Sequence, residues 1–159
     1  MVLGATFCAL VFAATWISVP TGVGNVNLGD SMLLLGAWML GGPWAVFAAG
    51  VGSVLTDLMG GYAVYAPGTF VIKSLMCTVA VLIVGKPSRV RGSLRLTRIV
   101  SAVCAEIVMV VGYFAYEALI LGLGLAAAAN LPFNAVQGCL GILVASLVYE
   151  LVVKAGIEP

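Results

Sequence analysis

Long apolar runs separated by short polar connections dominate this chain. A helix needs about 20 mostly apolar residues to cross a bilayer, and six runs approach or reach that length. The runs cover residues 2–19, 28–40, 44–58, 69–85, 99–123 and 132–154. They lack the strict alternation of apolar and polar residues that is typical of a membrane β-barrel strand. The pattern therefore predicts an all-α membrane protein, a bundle of six transmembrane helices forming a single domain over residues 1–159.

The boundary between the second and third runs has two possible interpretations. The second run is short, so the two runs together could form one long, tilted helix. The sequence Gly-Gly-Pro at positions 41–43 lies between them, and glycine and proline interrupt helices strongly. Trp38 and Trp44 flank the triplet, as aromatic side chains do at a membrane–water interface. Six spans are therefore preferred to five.

Composition supports a bilayer environment and argues against several function classes. Hydrophobic residues make up 63% of the chain and charged residues 8%, against about 45–50% and about 25% in soluble domains. There is no histidine, and the four cysteines lie in apolar runs without ligand-type spacing, which favours packing roles. No phosphate-binding loop is present. We expect no catalytic residue, no metal, no cofactor and no nucleic-acid partner.

Charge predicts the orientation in the membrane. Five of the seven basic residues lie in one connection, between the fourth and fifth runs. They are Lys86, Arg89, Arg91, Arg95 and Arg98. Because basic connections stay in the cytoplasm, this connection is predicted to be cytoplasmic. With six spans, the N- and C-termini are then cytoplasmic as well, and the connections 20–27, 59–68 and 124–131 face outward.

Polar side chains collect near the three outward connections, and several recur at helical spacing. Thr69 and Lys73 are four residues apart, as are Tyr113 and Glu117, so each pair shares a helix face. An ionisable group in the hydrocarbon costs about 2.5–3.5 kcal/mol on insertion scales, so such groups should face protein or water. These faces could converge on one cavity for a small, polar, partly aromatic ligand. The candidate substrate-binding residues are Asn27, Asp57, Tyr62, Tyr65, Thr69, Lys73, Tyr113, Glu117, Asn134 and Gln137.

Structural roles remain open for each of these residues. Asp57 or Glu117 could pair with Lys73 only to lock helices together. The tyrosines could be interface anchors, and Asn130 and Asn134 could be helix caps.

A face of small residues runs along the first span. Ala5, Ala9 and Ala13 are four residues apart, and small side chains at this spacing let another helix approach closely in lipid. By spacing alone, a contact inside the bundle is preferred to a contact with a partner protein.

Four segments resemble, in order, the substrate-binding S components of energy-coupling factor (ECF) transporters of the riboflavin type. These are "NVNLGDSMLLLGAWMLGG", "GSVLTDLMGGYAVYAPGTFVIK", "GYFAYEALI" and "LPFNAVQGCLG". The resemblance implies a multi-pass protein of the bacterial cell membrane that captures a vitamin or its precursor from outside. Its pocket would lie under the first extracellular loop.

The resemblance also implies a partner and a short list of ligands. The partner would be a transmembrane coupling protein, the T component, carrying two ATPase subunits, with Ala5, Ala9 and Ala13 at the contact. The chain itself would not be an enzyme. Among the family's vitamins, the polar residues favour pyridoxine (vitamin B6) or hydroxymethylpyrimidine, with riboflavin next. A self-sufficient facilitator of small solutes is the alternative from another class, although the cytoplasmic halves of the predicted spans are nearly all apolar.

Overall fold

The computed structural model describes residues 2–21, 24–85 and 94–156. Within these ranges the chain forms six α-helices, as predicted. In chain order the elements are α1 (Val2–Trp16), β1 (Ser18–Pro20), β2 (Asn25–Asn27), α2 (Gly29–Met39), α3 (Gly42–Met59), α4 (Ala66–Val84), α5 (Leu94–Ala115), a π-helical turn (Tyr116–Ile120), a 3₁₀ segment (Gly124–Asn130) and α6 (Leu131–Lys154). Lys86, Arg89 and Arg91 of the predicted basic connection lie outside the described residues.

Four of the helices are long and apolar enough to cross a membrane. They are α3, α4, α5 with its π turn, and α6 with the preceding 3₁₀ segment. The other two are shorter than predicted, with 15 residues in α1 and 11 in α2. At the helical rise α2 is about 16 Å long, which is about half the thickness of the hydrocarbon core. Six helices are thus confirmed, but α2 does not have the length of a full span.

The break between α2 and α3 is confirmed. Gly41 and Gly42 have φ angles of 60° and 62°, which only glycine adopts without strain. Pro43 follows in the first turn of α3, where its missing N–H costs nothing. The interface interpretation of Trp38 is wrong, because this side chain is only 1% exposed and donates a 3.0 Å hydrogen bond to Ser101 Oγ. Trp44 is exposed on the other side of the break.

The short helix α2 forms the centre of the molecule. All of its residues except Met32 and Met39 are buried, and it packs against α1, α3, α4 and α6. A helix with large apolar side chains on several sides needs such surroundings. The longer helices instead carry large apolar side chains on their outer surfaces, including Leu82, Leu119 and Leu151. A surface of this kind is suited to lipid.

Glycines let the helices approach one another closely. A Cβ on Gly52 of α3 would lie 2.7 Å from the carbonyl oxygen of Cys8 in α1. On Gly50 it would lie 2.5 Å from Ser74 Oγ of α4. Close backbone approach favours helix association in lipid, so these glycines have a packing role inside the bundle. Ala5, Ala9 and Ala13 differ, because all three are exposed on the outer surface of α1.

A short antiparallel hairpin departs from the helical prediction. Strands β1 and β2 pair with Ser18 opposite Asn27 and Pro20 opposite Asn25. At the turn, the Thr21 hydroxyl donates to the Gly24 carbonyl (2.8 Å) and accepts from the Gly24 N–H (3.0 Å). Strands of three residues carry too little alternation to be recognised in a sequence. The hairpin lies in the first predicted outward connection.

Candidate functional site

A cavity of about 530 Å³ lies at one end of the bundle, beneath the hairpin. Side chains from α1, both strands, α3, α4, α5 and α6 line it. All ten residues predicted from the sequence are among them. The other lining residues are Thr15, Trp16, Ser18, Pro20, Thr21, Gly24, Asn25, Ser53, Thr56, Gly60, Asn130 and Phe133.

The predicted helical spacing accounts for much of this convergence. On α4, Thr69 and Lys73 both reach the cavity from successive turns of the same face. Tyr113 of α5 lies opposite Thr69, and the hydroxyl oxygens of the two residues are 3.1 Å apart and form a hydrogen bond. Asn134 and Gln137, three residues apart on α6, complete this part of the wall.

Lys73 forms a buried ion pair with a residue of another helix, as one interpretation of the sequence had it, but its partner is Asp30. The lysine ammonium forms an ion pair with Oδ1 of Asp30, in the first turn of α2. Both side chains are almost fully buried. Neither Asp57 nor Glu117, the partners considered from the sequence, makes this contact. Asp30 lies at the start of the second run, but nothing in its spacing to Lys73 connects the two residues.

Gln137 extends this ion pair to the hairpin. Its Nε2 donates a 2.7 Å hydrogen bond to Oδ2 of Asp30, and its Oε1 accepts a 3.1 Å bond from the backbone N–H of Asn27. The Asn27 side chain in turn accepts from the N–H of Gly29 (2.9 Å), at the start of α2. These polar contacts join α4, α2, α6 and the hairpin beside the cavity.

Glu117 reaches the cavity from the π-helical turn at the end of α5. Such turns are rare and often lie at functional sites. One carboxylate oxygen, Oε1, accepts a 2.8 Å hydrogen bond from Asn130 Nδ2. Asn130 occupies the cap position of α6, as one interpretation of the sequence had it, but its side chain makes no cap bond there. Asn134 lies one turn inside α6, beyond the cap position.

Two carboxylate oxygens at the cavity have no hydrogen-bond partner among the described residues. They are Oδ2 of Asp57, on α3, and Oε2 of Glu117. A polar atom left without a partner in a buried site is costly, and such atoms often mark the position of a ligand or an ordered water. Glu106 of α5 is also buried with both oxygens unpartnered, but it lies against Gly138 and Gly141 of α6 rather than in the cavity wall.

Three tyrosines, Tyr62, Tyr65 and Tyr113, form most of the aromatic part of the wall, together with Trp16 and Phe133, and Tyr116 lies next to it. The rings of Tyr65 and Tyr116 lie 6.3 Å apart, and the Tyr116 hydroxyl donates to the carbonyl of Val64 (2.8 Å). Burial, and secondarily the nearby charge of Glu117, raise the pKa of Tyr65 above its usual value. Tyr65 therefore remains a protonated phenol at neutral pH and can donate a hydrogen bond. Tyr62 is more exposed.

The described residues contain no group of three side chains suited to holding a metal ion. All four cysteines are free thiols. The arrangement offers amides, phenols, hydroxyls and carboxylates to a ligand, without a paired nucleophile and base. Geometry of this kind binds and orients a small molecule.

An apolar helical bundle with a polar, ligand-sized cavity at one end defines a multi-pass membrane protein. Residues 1–154 match the family described as the ECF-type riboflavin transporter, S component, and the chain belongs to that family. It is thus a membrane substrate-binding subunit of ECF transporters, a transport protein and not an enzyme. A protein of Pyrococcus woesei, described as an uncharacterized protein in gap 3'region, is 36% identical over 129 residues, which cover 80% of this chain and 82% of that protein.

Proposed function

We propose that this chain binds a vitamin-type nitrogen heterocycle in the cavity beneath the hairpin and delivers it to an ATP-driven importer. The observation that carries the proposal is the convergence of all ten candidate residues on one cavity. Thr69, Tyr113, Asn134 and the unpartnered oxygens of Asp57 and Glu117 supply the polar contacts. The tyrosine rings supply apolar area against a flat ring system.

Riboflavin is the first candidate ligand. The matched family is that of riboflavin transporter S components, and a cavity of about 530 Å³ falls within the range of about 300–1,000 Å³ typical of sites for drug-sized molecules. Pyridoxine and hydroxymethylpyrimidine, favoured from the residues alone, are the second candidates. Their hydroxymethyl groups could donate to the carboxylates of Asp57 and Glu117, but one ring would leave much of the volume to water.

We further propose that α1 contacts the membrane-embedded T component, which carries the two ATPase subunits. Ala5, Ala9 and Ala13 are exposed on one face of α1 and do not pack inside the bundle. A stripe of small residues in lipid is suited to close contact with another helix. The family match supports this assignment, which reverses the preference based on spacing alone.

The decisive experiment is mass spectrometry of small molecules released from the purified protein, followed by titration with each candidate. Trp16 lines the cavity, so ligand binding should change tryptophan fluorescence. Asn134→Ala should weaken binding by about 10-fold or more, because it removes polar contacts without disturbing the Asp30–Lys73 pair. Leu147→Ala, on the outer surface of the same helix, is the matched control and should bind normally.

Two results would contradict the proposal. Unchanged affinity in folded Asn134→Ala, Thr69→Val and Glu117→Ala proteins would remove the cavity as the binding site. Uptake by the chain alone in vesicles without ATP would favour the facilitator.

A further inference from the structure

The cavity end of the bundle presents large apolar side chains to its surroundings. They come from the hairpin and the residue before it, from the end of α3 and the connection that follows, and from the π turn and the 3₁₀ segment. Each of these segments also supplies a residue of the cavity wall. The side chains are 60–88% exposed. This set is called the rim, and it consists of Ile17, Val19, Met59, Val64, Leu119 and Leu125.

The outer surface at this end has no exposed charged side chain within the described part of the chain. Of the charged residues near the cavity, Asp30, Lys73 and Glu117 are buried, and Asp57 belongs to the cavity wall. The opposite end differs, since the Arg95 side chain is 74% exposed. Surfaces that face water normally carry many Lys, Arg, Asp and Glu side chains. The cavity end therefore lacks the composition of a surface in bulk water.

The connection between α5 and α6 shows the same property in the sequence itself. Residues 118–129 contain no polar or charged side chain. Connections in water are usually rich in residues such as Asn, Asp and Ser. Here the 3₁₀ segment leaves Leu125 88% exposed. An exposed apolar surface of this kind marks contact with a membrane or with another protein.

Helix length places the cavity within the bilayer rather than above it. Helix α4 has 19 residues, or about 28 Å at the helical rise, against about 30 Å for the hydrocarbon core. Thr69 and Lys73 of the cavity wall lie near its start. Raising them into bulk water would push the other end of α4 out of the hydrocarbon, where Leu82 is 74% exposed. The rim therefore lies close to the boundary between hydrocarbon and headgroups.

From these observations we infer that the rim is a lipid-contacting surface, inserted among the glycerol and headgroup region of the bilayer. The cavity then opens into this layer, which water and small solutes penetrate, rather than into bulk water. Lipid is favoured over a protein partner because the rim continues the apolar outer surfaces of α3 and α5, where Leu55 and Val111 are exposed. Without an exposed charge, the rim needs no anionic headgroup. The inference goes beyond the proposed function and holds for any ligand and for either orientation.

Spin labelling in phosphatidylcholine liposomes tests the inference. In a variant with the four native cysteines replaced, a nitroxide is attached at Leu119→Cys or Leu125→Cys. Oxygen concentrates in the hydrocarbon and a polar nickel complex in water, so the ratio of their collision rates with the nitroxide reports its surroundings. Leu143→Cys, on the outer surface halfway along α6, is the lipid control, and Lys154→Cys, exposed at the end of α6, is the water control. We expect both rim labels to give ratios severalfold above the water control and below the lipid control.

Two results of this experiment would overturn the inference. A ratio equal to that of Lys154→Cys at either rim position would place the rim in water. Low collision rates with both reagents, rising as the protein is diluted in lipid, would show that a second copy of the chain covers the rim.

A tryptophan variant gives an independent check without a label. Leu125→Trp is placed in a Trp16→Phe/Trp44→Phe background, where the remaining Trp38 is only 1% exposed and has little access to lipid. Phosphatidylcholine brominated near the glycerol end of its acyl chains should quench the new tryptophan more strongly than the same lipid brominated near the chain ends. Absence of quenching, or stronger quenching by the chain-end bromines, would contradict an interfacial rim.

Discussion

Single residues in this chain divide between holding the bundle together and facing the cavity, and residue type alone does not separate the two. Lys73 lines the cavity, yet its charge serves to pair Asp30 inside the bundle. Glu117 lines the same cavity with one oxygen bound to Asn130 and the other without a partner. The burial and partner of each charged atom, rather than its position along the chain, indicate its role.

The Asp30–Lys73 pair gives the clearest prediction for a single residue. Asp30→Asn would leave the lysine ammonium buried without a counter-charge, so it should lower the free energy of unfolding by about 3–5 kcal/mol. The double variant Asp30→Asn/Lys73→Met removes both charges and should recover most of that loss. Denaturant titration in detergent micelles measures both values.

The exposed ion pair at the other end of the bundle is the matched control. Arg95 and Glu150 form a salt bridge, with the arginine side chain 74% and the glutamate side chain 34% exposed. Glu150→Gln should therefore change the stability by about 1 kcal/mol or less. If Asp30→Asn and Glu150→Gln lowered the free energy of unfolding equally, the buried pair would stabilise the fold no more than the exposed one.

Much of the cavity wall could be predicted from the sequence, and the reason is local geometry. Thr69 and Lys73, or Asn134 and Gln137, share a helix face because of their spacing, so a helix assignment brings them together. The Asp30–Lys73 pair joins α2 and α4 and depends on how the helices pack. Sequence spacing carries no information on that packing, so Asp57 and Glu117 were equally plausible partners.

At the scale of elements, a helix end or turn could be predicted only where its residues have strong backbone preferences of their own. The break after α2 was predictable because Gly41, Gly42 and Pro43 have backbone preferences of their own. The π turn that carries Glu117 has no comparable composition signal. The central position of α2, and with it the burial of Trp38, likewise follows from the packing of the other helices.

The exposed face of α1 gives the prediction that belongs to an element. Ala9→Trp should abolish assembly with the T component and its ATPase subunits, because a bulky side chain in a small-residue contact forces the helix backbones apart. Ligand affinity of the isolated chain should stay within about twofold, since Ala9 does not line the cavity. Co-purification with a tagged T component measures assembly, and fluorescence titration measures binding.

Val103→Trp provides the control for added bulk. Val103 is exposed on α5, on a different helix from the alanine face, and this variant should assemble normally. Intact assembly of Ala9→Trp would remove α1 from the interface. Failure of both variants would point to a general effect of bulk on insertion.

For the whole molecule, the two ends of the bundle differ in chemistry. The first residues of α4 and α6 and the last residues of α1 and α5 meet at the cavity. The last residues of α4 and α6 and the first residues of α5 therefore lie at the opposite end. At that end Arg98 stacks on the ring of Tyr149 (4.0 Å) and Arg95 pairs with Glu150. Basic residues in short connections set orientation, so the cavity is predicted to open outward and both termini to lie in the cytoplasm.

Cysteine labelling in whole cells tests this orientation. In a variant with the four native cysteines replaced, Thr21→Cys at the hairpin turn should react with a membrane-impermeant maleimide from outside. Ser88→Cys, in the connection between α4 and α5, should react only after the membrane is permeabilised. The reverse pattern would place the cavity on the cytoplasmic side and contradict capture from outside.

Replacing Lys86, Arg89 and Arg91 together by glutamine should reduce the difference in labelling between the hairpin cysteine and the connection cysteine, because those charges are the predicted determinant of orientation.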